Sequence, residues 1–133
     1  MRKITLMDAY IIETLRSNGV TKEEMVQAVK TKNVDQFKEI NEHFDYTGLY
    51  ELEDLGDLLE NGYQVKFLTL PGLTNLLKMR FQKEKDQDYV QEGNSLKGLS
   101  LSNQEKEAIE KWLSPNWALR QVGDQYTIEP AFN

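Results

Sequence analysis

Cysteine is absent from this chain of 133 residues, and histidine occurs once, at His43. Disulfides, thiolate catalysis and Cys-ligated zinc are thereby excluded. His43 is the natural proton shuttle near neutrality, but the sequence offers it no nucleophile and no orienting partner. A structural or surface role is therefore expected for it. Long apolar runs are missing too: none approaches the roughly 20 residues that span a bilayer. The basic pair Arg2-Lys3 meets Asp8 and Glu13 within a few residues, so no secretory apolar region follows it. The expected compartment is the cytoplasm, with no membrane association.

Other chemical signatures fail on spacing. Asp45 to Gly56 is rich in acids, yet lacks the D-x-[DN]-x-[DN]-G order of a calcium loop and is interrupted by leucines. Leu70-Pro71-Gly72-Leu73 has one glycine and no following GK[ST], so it is no phosphate loop. Neighbouring acids such as Glu23-Glu24 and Glu53-Asp54 lie side by side, whereas acid–base catalysis needs carboxylates opposed across a cleft. No metal, cofactor or catalytic residue is expected. An enzyme working with carboxylates alone remains a lesser alternative, whose sign would be a cleft holding two convergent acids.

What is present describes a globular chain. Apolar residues make up 39% and charged residues 29%, which suits a packed core better than disorder. The length fits one domain over residues 1–133, with a conceivable seam near Gly62 between a helical half, 1–62, and a mixed half, 63–133.

Punctuation in the first half is clear. Thr5 caps a helix from Leu6 to Ser17, ended by Asn18-Gly19. Thr21 and Glu24 form a capping box, with Val20 and Met25 as its hydrophobic staple, opening a helix to Lys30. That helix is expected to bury Met25, Val26 and Val29. A third helix is expected from Asn33, with Val34, Phe37, Ile40 and Phe44 inward. Asp45 to Gly48 reads as a turn, and the leucines at 49, 52, 55, 58 and 59 predict one helix over 49–60, stopped by Asn61-Gly62.

After Gly62 the pattern changes. Tyr63, Val65 and Phe67 alternate with Gln64, Lys66 and Leu68, predicting a short strand. Thr69-Leu70-Pro71 opens a helix to Phe81. A hairpin is expected about Glu92-Gly93-Asn94, a helix after the Ser102–Glu105 capping box, and two strands about Gly123-Asp124. The expected class is helix-rich α+β: about six helices, with a few short antiparallel strands mainly in the C-terminal half.

Charge supplies the functional lead. No Lys or Arg lies between Lys38 and Lys66, while eight acids do. On one helix, Glu53, Asp57 and Glu60 would share a face, at about 0.2–0.5 kcal/mol of repulsion per like-charged pair. A basic protein partner is the expected ligand, with Tyr46, Tyr50, Glu53, Asp54, Asp57 and Glu60 as its candidate contacts and a merely solvated face as the bland reading. The function expected is that of a small non-enzymatic interaction or regulatory protein. The alternative is a nucleic-acid regulator using a helix-turn-helix or winged-helix outline, or the basic residues Lys78, Arg80, Lys83 and Lys85. Net charge of −6 weighs against it. So do Glu23 and Glu24 at the start of the would-be reading helix, and the mixed charges of the C-terminal helix and hairpin.

Overall fold

The computed structural model describes residues 1–131. Among them the architecture is helix-rich α+β, with five α-helices, two short 3₁₀ helices, a parallel pair of two-residue strands and a four-stranded antiparallel sheet.

Helix α1, Leu6–Ser17, begins where expected because the Thr5 hydroxyl accepts from the Asp8 amide. It buries Ala9, Ile11, Ile12 and Leu15 against α4, Leu70–Phe81, which contributes Leu73, Leu76 and Leu77. Each such leucine is worth roughly 1.5–3 kcal/mol removed from water. Gly72 permits the close crossing: a Cβ there would stand 2.6 Å from a Leu6 methyl. Helix α2, Lys22–Lys30, carries the complete Thr21–Glu24 capping box. It buries Met25 and Ala28, leaving Val26 and Val29 half-exposed.

The next thirty residues depart from expectation. In place of a third α-helix the chain makes a 3₁₀ turn, Val34–Glu39, which buries Val34 and Phe37. Ile40 and Phe44 are only half-buried. Asp45 then caps a second 3₁₀ turn, Tyr46–Glu51, its carboxylate accepting from the Thr47 amide at 3.1 Å. Asp54 takes left-handed backbone angles, φ 45°, and caps a short helix α3, Leu55–Asn61. The helix expected over 49–60 is therefore two elements about a break. Leucines at helical spacing also fit a 3₁₀ turn followed by a helix when both bury the same side, and Leu49, Leu55, Leu58 and Leu59 are all buried.

Strand β1, Lys3–Ile4, pairs in parallel with β2, Gln64–Val65. The strand expected over 63–68 is thus two residues long. Tyr63, Val65 and Leu68 are buried while Phe67 is 66% exposed, because Leu68 is pinned inward. Its amide donates to Ser114 Oγ, and its carbonyl accepts from Asn116 and from the Trp117 indole.

Strands β3, Val90–Glu92, β4, Ser95–Leu99, β5, Trp117–Val122, and β6, Gln125–Pro130, form the antiparallel sheet in the order β3-β4-β6-β5. Leu96, Leu99, Tyr126 and Ile128 join the main core. Helix α5, Asn103–Trp112, starts at the expected Ser102–Glu105 capping box and buries Ile109 and Trp112.

Candidate functional site

The eight acids between Lys38 and Lys66 divide into two groups once the chain is folded. Those in and next to α3 acquire partners from the N-terminal elements. Glu60 lies 2.7 Å from Lys22 Nζ, which depresses the Glu60 carboxyl and raises the Lys22 ammonium. Asp57 is 3.9 Å from Arg2, whose guanidinium also donates to the carbonyls of Glu53 and Asp54. Asp54 is occupied as a helix cap, accepting from the Asp57 amide. Glu53 precedes α3, so Glu53, Asp57 and Glu60 do not form the single helical face that the leucine spacing implies.

The second group runs from Glu39 to Glu53. Glu39, Glu42, Glu51 and Glu53 are exposed, with no side-chain hydrogen bond and no cation within ion-pair distance among the described residues. Asp45 is likewise exposed, but its carboxyl is depressed by the hydroxyl and then the amide of Thr47. Irregular backbone and 3₁₀ turns turn these side chains outward, since their apolar neighbours Phe37, Tyr46 and Leu49 occupy the inside. Arg2, Lys3 and Lys66 share a shallow recess with Glu51 and Glu53, with none of the three within ion-pair distance of either carboxylate. Glu39 and Glu42 share another with Lys38 and the exposed His43.

Neither tyrosine is a free anchor. Tyr46 is 1% exposed, its hydroxyl donating to the Asn41 carbonyl and its ring packed edge-on against Phe37 and Phe44. Burial pushes its phenol pKa up. Tyr50 is half-buried, accepts from the Val34 amide at 3.4 Å and lies beneath Lys32 Nζ, 4.7 Å from the ring centre.

The basic quartet is dispersed by ion pairing. Arg80 reaches Glu13 at 3.1 Å, Lys83 reaches Glu105 at 3.6 Å and Lys78 reaches Glu84 at 3.5 Å. Lys85 alone of the four has no such partner among the described residues. The outline of α1, a turn at Gly19 and α2 is formed, with Glu23 and Glu24 exposed at the front of α2. In the C-terminal hairpin Arg120 is held by Glu129 across the strands at 3.0 Å.

One polar cluster was not anticipated from the sequence. Glu13 is 1% exposed within α1 and receives Arg16 at 3.2 Å, Arg80 at 3.1 Å and the Tyr63 hydroxyl. Arg16 also donates to the Leu59 carbonyl at 2.9 Å. Burial, reinforced by the Glu13 carboxylate, pushes the Tyr63 phenol well above its ordinary pKa and keeps it a neutral donor. Arg80 stacks on Phe81, and Phe81 on Trp112. The cluster therefore ties α1, the segment before β2, α4 and α5 together. The available signal was an acid at position 13, flanked by Ile12 and Leu15 on the apolar face of α1.

No group of three or more acids or His that could hold a metal ion occurs among the described residues. No helix among them is long and apolar enough to cross a membrane. The chain matches no protein-family model, no curated protein and no solved structure.

Proposed function

We propose that the protein is a non-enzymatic interaction protein that meets a basic partner through its carboxylates between Glu39 and Glu53. One observation carries the reading: these acids remain exposed and unpaired, although the fold supplies cations to their neighbours Asp57 and Glu60. Residues 63–133 hold equal numbers of acidic and basic residues, so the whole formal charge of −6 belongs to residues 1–62. Exposed unpaired carboxylates steer a cationic surface and speed encounter more than they tighten the bound state. Exposed charges act over a Debye length of about 8 Å at physiological salt, so the contact is salt-sensitive. The cytoplasm is the proposed compartment.

A non-enzymatic role is supported by the state of Glu13. Its oxygens already face three donors, an arrangement suited to holding elements together rather than to moving protons.

The test is affinity capture with the wild-type chain and a Glu39→Lys, Glu42→Lys, Glu51→Lys variant, each at two salt concentrations. The reading expects a specific partner rich in Lys and Arg, retained by wild type at low salt and lost both in the variant and at high salt. Equal retention by the two proteins would refute it.

A further inference from the structure

A cleft of about 180 Å³ opens between the end of α3 and α5, directly above the Glu13 cluster. It is far larger than the ~10–15 Å³ that admits one water and smaller than the ~300–1,000 Å³ of pockets for drug-sized ligands. Arg16, Tyr63 and Trp112 line it, and Lys111, Gln104 and Glu107 complete the wall formed by α5.

The charges around this cleft do not balance in the ordinary way. Two guanidiniums, Arg16 and Arg80, converge on the single carboxylate of Glu13. Arg16 engages only Glu13 and the Leu59 carbonyl among the described residues, so donors of its five-donor fork remain unused. Glu60, at the rim, is taken by Lys22. Lys111 is half-buried and has no carboxylate within ion-pair distance among the described residues. Its stem runs over Gly62, where the absence of a Cβ leaves room for it. A Cβ there would stand 2.6 Å from Lys111 Cδ and 3.3 Å from Nζ. Ordering a lysine side chain costs rotamer entropy, and a lysine normally carries its ammonium out to water. Packing on Gly62 explains the path of the stem. It does not supply a counter-ion. Among the described residues Glu107 has no partner at the rim, and it is exposed.

From this juxtaposition we infer that the cleft between Tyr63 and Lys111 binds a small oxyanion, of the carboxylate or phosphate class, between the unused donors of Arg16 and the ammonium of Lys111. Charge-assisted hydrogen bonds from both cations hold it. The cleft lies on the Glu13 side of the molecule and its occupancy is independent of the proposed acidic docking surface.

The experiment is a ¹⁵N NMR titration of the full chain with sodium phosphate and, separately, sodium acetate, each against sodium chloride at matched ionic strength. The Trp112 indole N–H and the Gly62 and Tyr63 amides are followed. Saturable shifts at these groups with phosphate, acetate or both, beyond those of chloride, are expected, and the responding salt identifies the class. Lys111→Gln should weaken binding about tenfold, Lys111→Arg should retain it, and Glu107→Gln should tighten it by removing a like charge. Spectra unchanged outside the cleft establish that each variant is folded. Non-saturating shifts, shifts equal to those of chloride, or equal affinity in Lys111→Gln would overturn the inference. So would weaker binding in Glu107→Gln, because Glu107 would then attract the ligand instead of repelling it.

Discussion

Glu13 and Glu42 carry the same carboxylate into opposite surroundings. Glu13 lies inside the helical layer with three donors drawn from α1, α4 and the segment before β2. Glu42 sits on a connection between two 3₁₀ turns, where water is its environment. Removing water from a charge costs several kcal/mol unless partners replace it, so burial forced a complete set of contacts around position 13. No such demand acts at Glu39, Glu42, Glu51 and Glu53, and the fold leaves those acids alone. The contrast teaches that a charged residue must be judged by what the fold spends on satisfying it: the buried acid organises structure, and the unpaired exposed acids are free for a partner.

The largest effect is expected at the buried end of this contrast. Glu13→Gln leaves two guanidiniums facing a neutral amide and should destabilise the protein by about 3 kcal/mol, toward the low end for a broken buried pair because both arginines retain some contact with water. Urea denaturation measures it, and a loss under 1 kcal/mol would show that the cluster is dispensable.

Tyr63→Phe should follow, at about 1.5–3 kcal/mol for a hydrogen bond to a charged group. It also has a pH signature. The folded phenol is raised well above its ordinary pKa, whereas the unfolded one ionises near 10. The folded state therefore retains a proton that the unfolded chain gives up, and stability declines as pH rises past about 10. That alkaline decline should shrink in Tyr63→Phe. An unchanged alkaline limb would assign the decline to other groups.

A smaller change is expected at the paired acid of the surface. The folded Glu60 carboxyl is depressed, so the stability it contributes is present above the ordinary carboxylate pKa and disappears as pH falls through the depressed value. Lys22→Met should move the Glu60 titration upward by NMR and flatten that part of the acid limb. A Glu60 titration that stays where it was would mean the pair does not persist in solution.

Much of the fold was legible because local signals decided it. Both capping boxes, the Thr5 cap, the Gly93 and Gly123 turns and the opening of α4 at Thr69-Leu70-Pro71 lie where the sequence pointed. Residues 33–54 were misread because leucine and aromatic spacing is satisfied by 3₁₀ turns that bury the same side. Left-handed geometry at Asp54, a non-glycine, gave no cue to the break. Strand β1 is two residues long and stabilised only by its distant partner, so periodicity had nothing to register. The acidic run was visible as composition, but its division into paired and unpaired members depends on Lys22 and Arg2 arriving from far along the chain. Tyr46 has the same origin: its burial follows from Phe37 and Phe44 closing over it, a tertiary event.

Glu39, Glu42, Glu51 and Glu53 are held to have no structural task, and stability tests this most directly. The Glu39→Lys, Glu42→Lys, Glu51→Lys variant should unfold in urea within about 0.5 kcal/mol of wild type, or at slightly higher urea as like-charge repulsion is relieved. A loss of 2 kcal/mol or more would contradict the account, because those carboxylates would then be holding the fold together as Glu13 does.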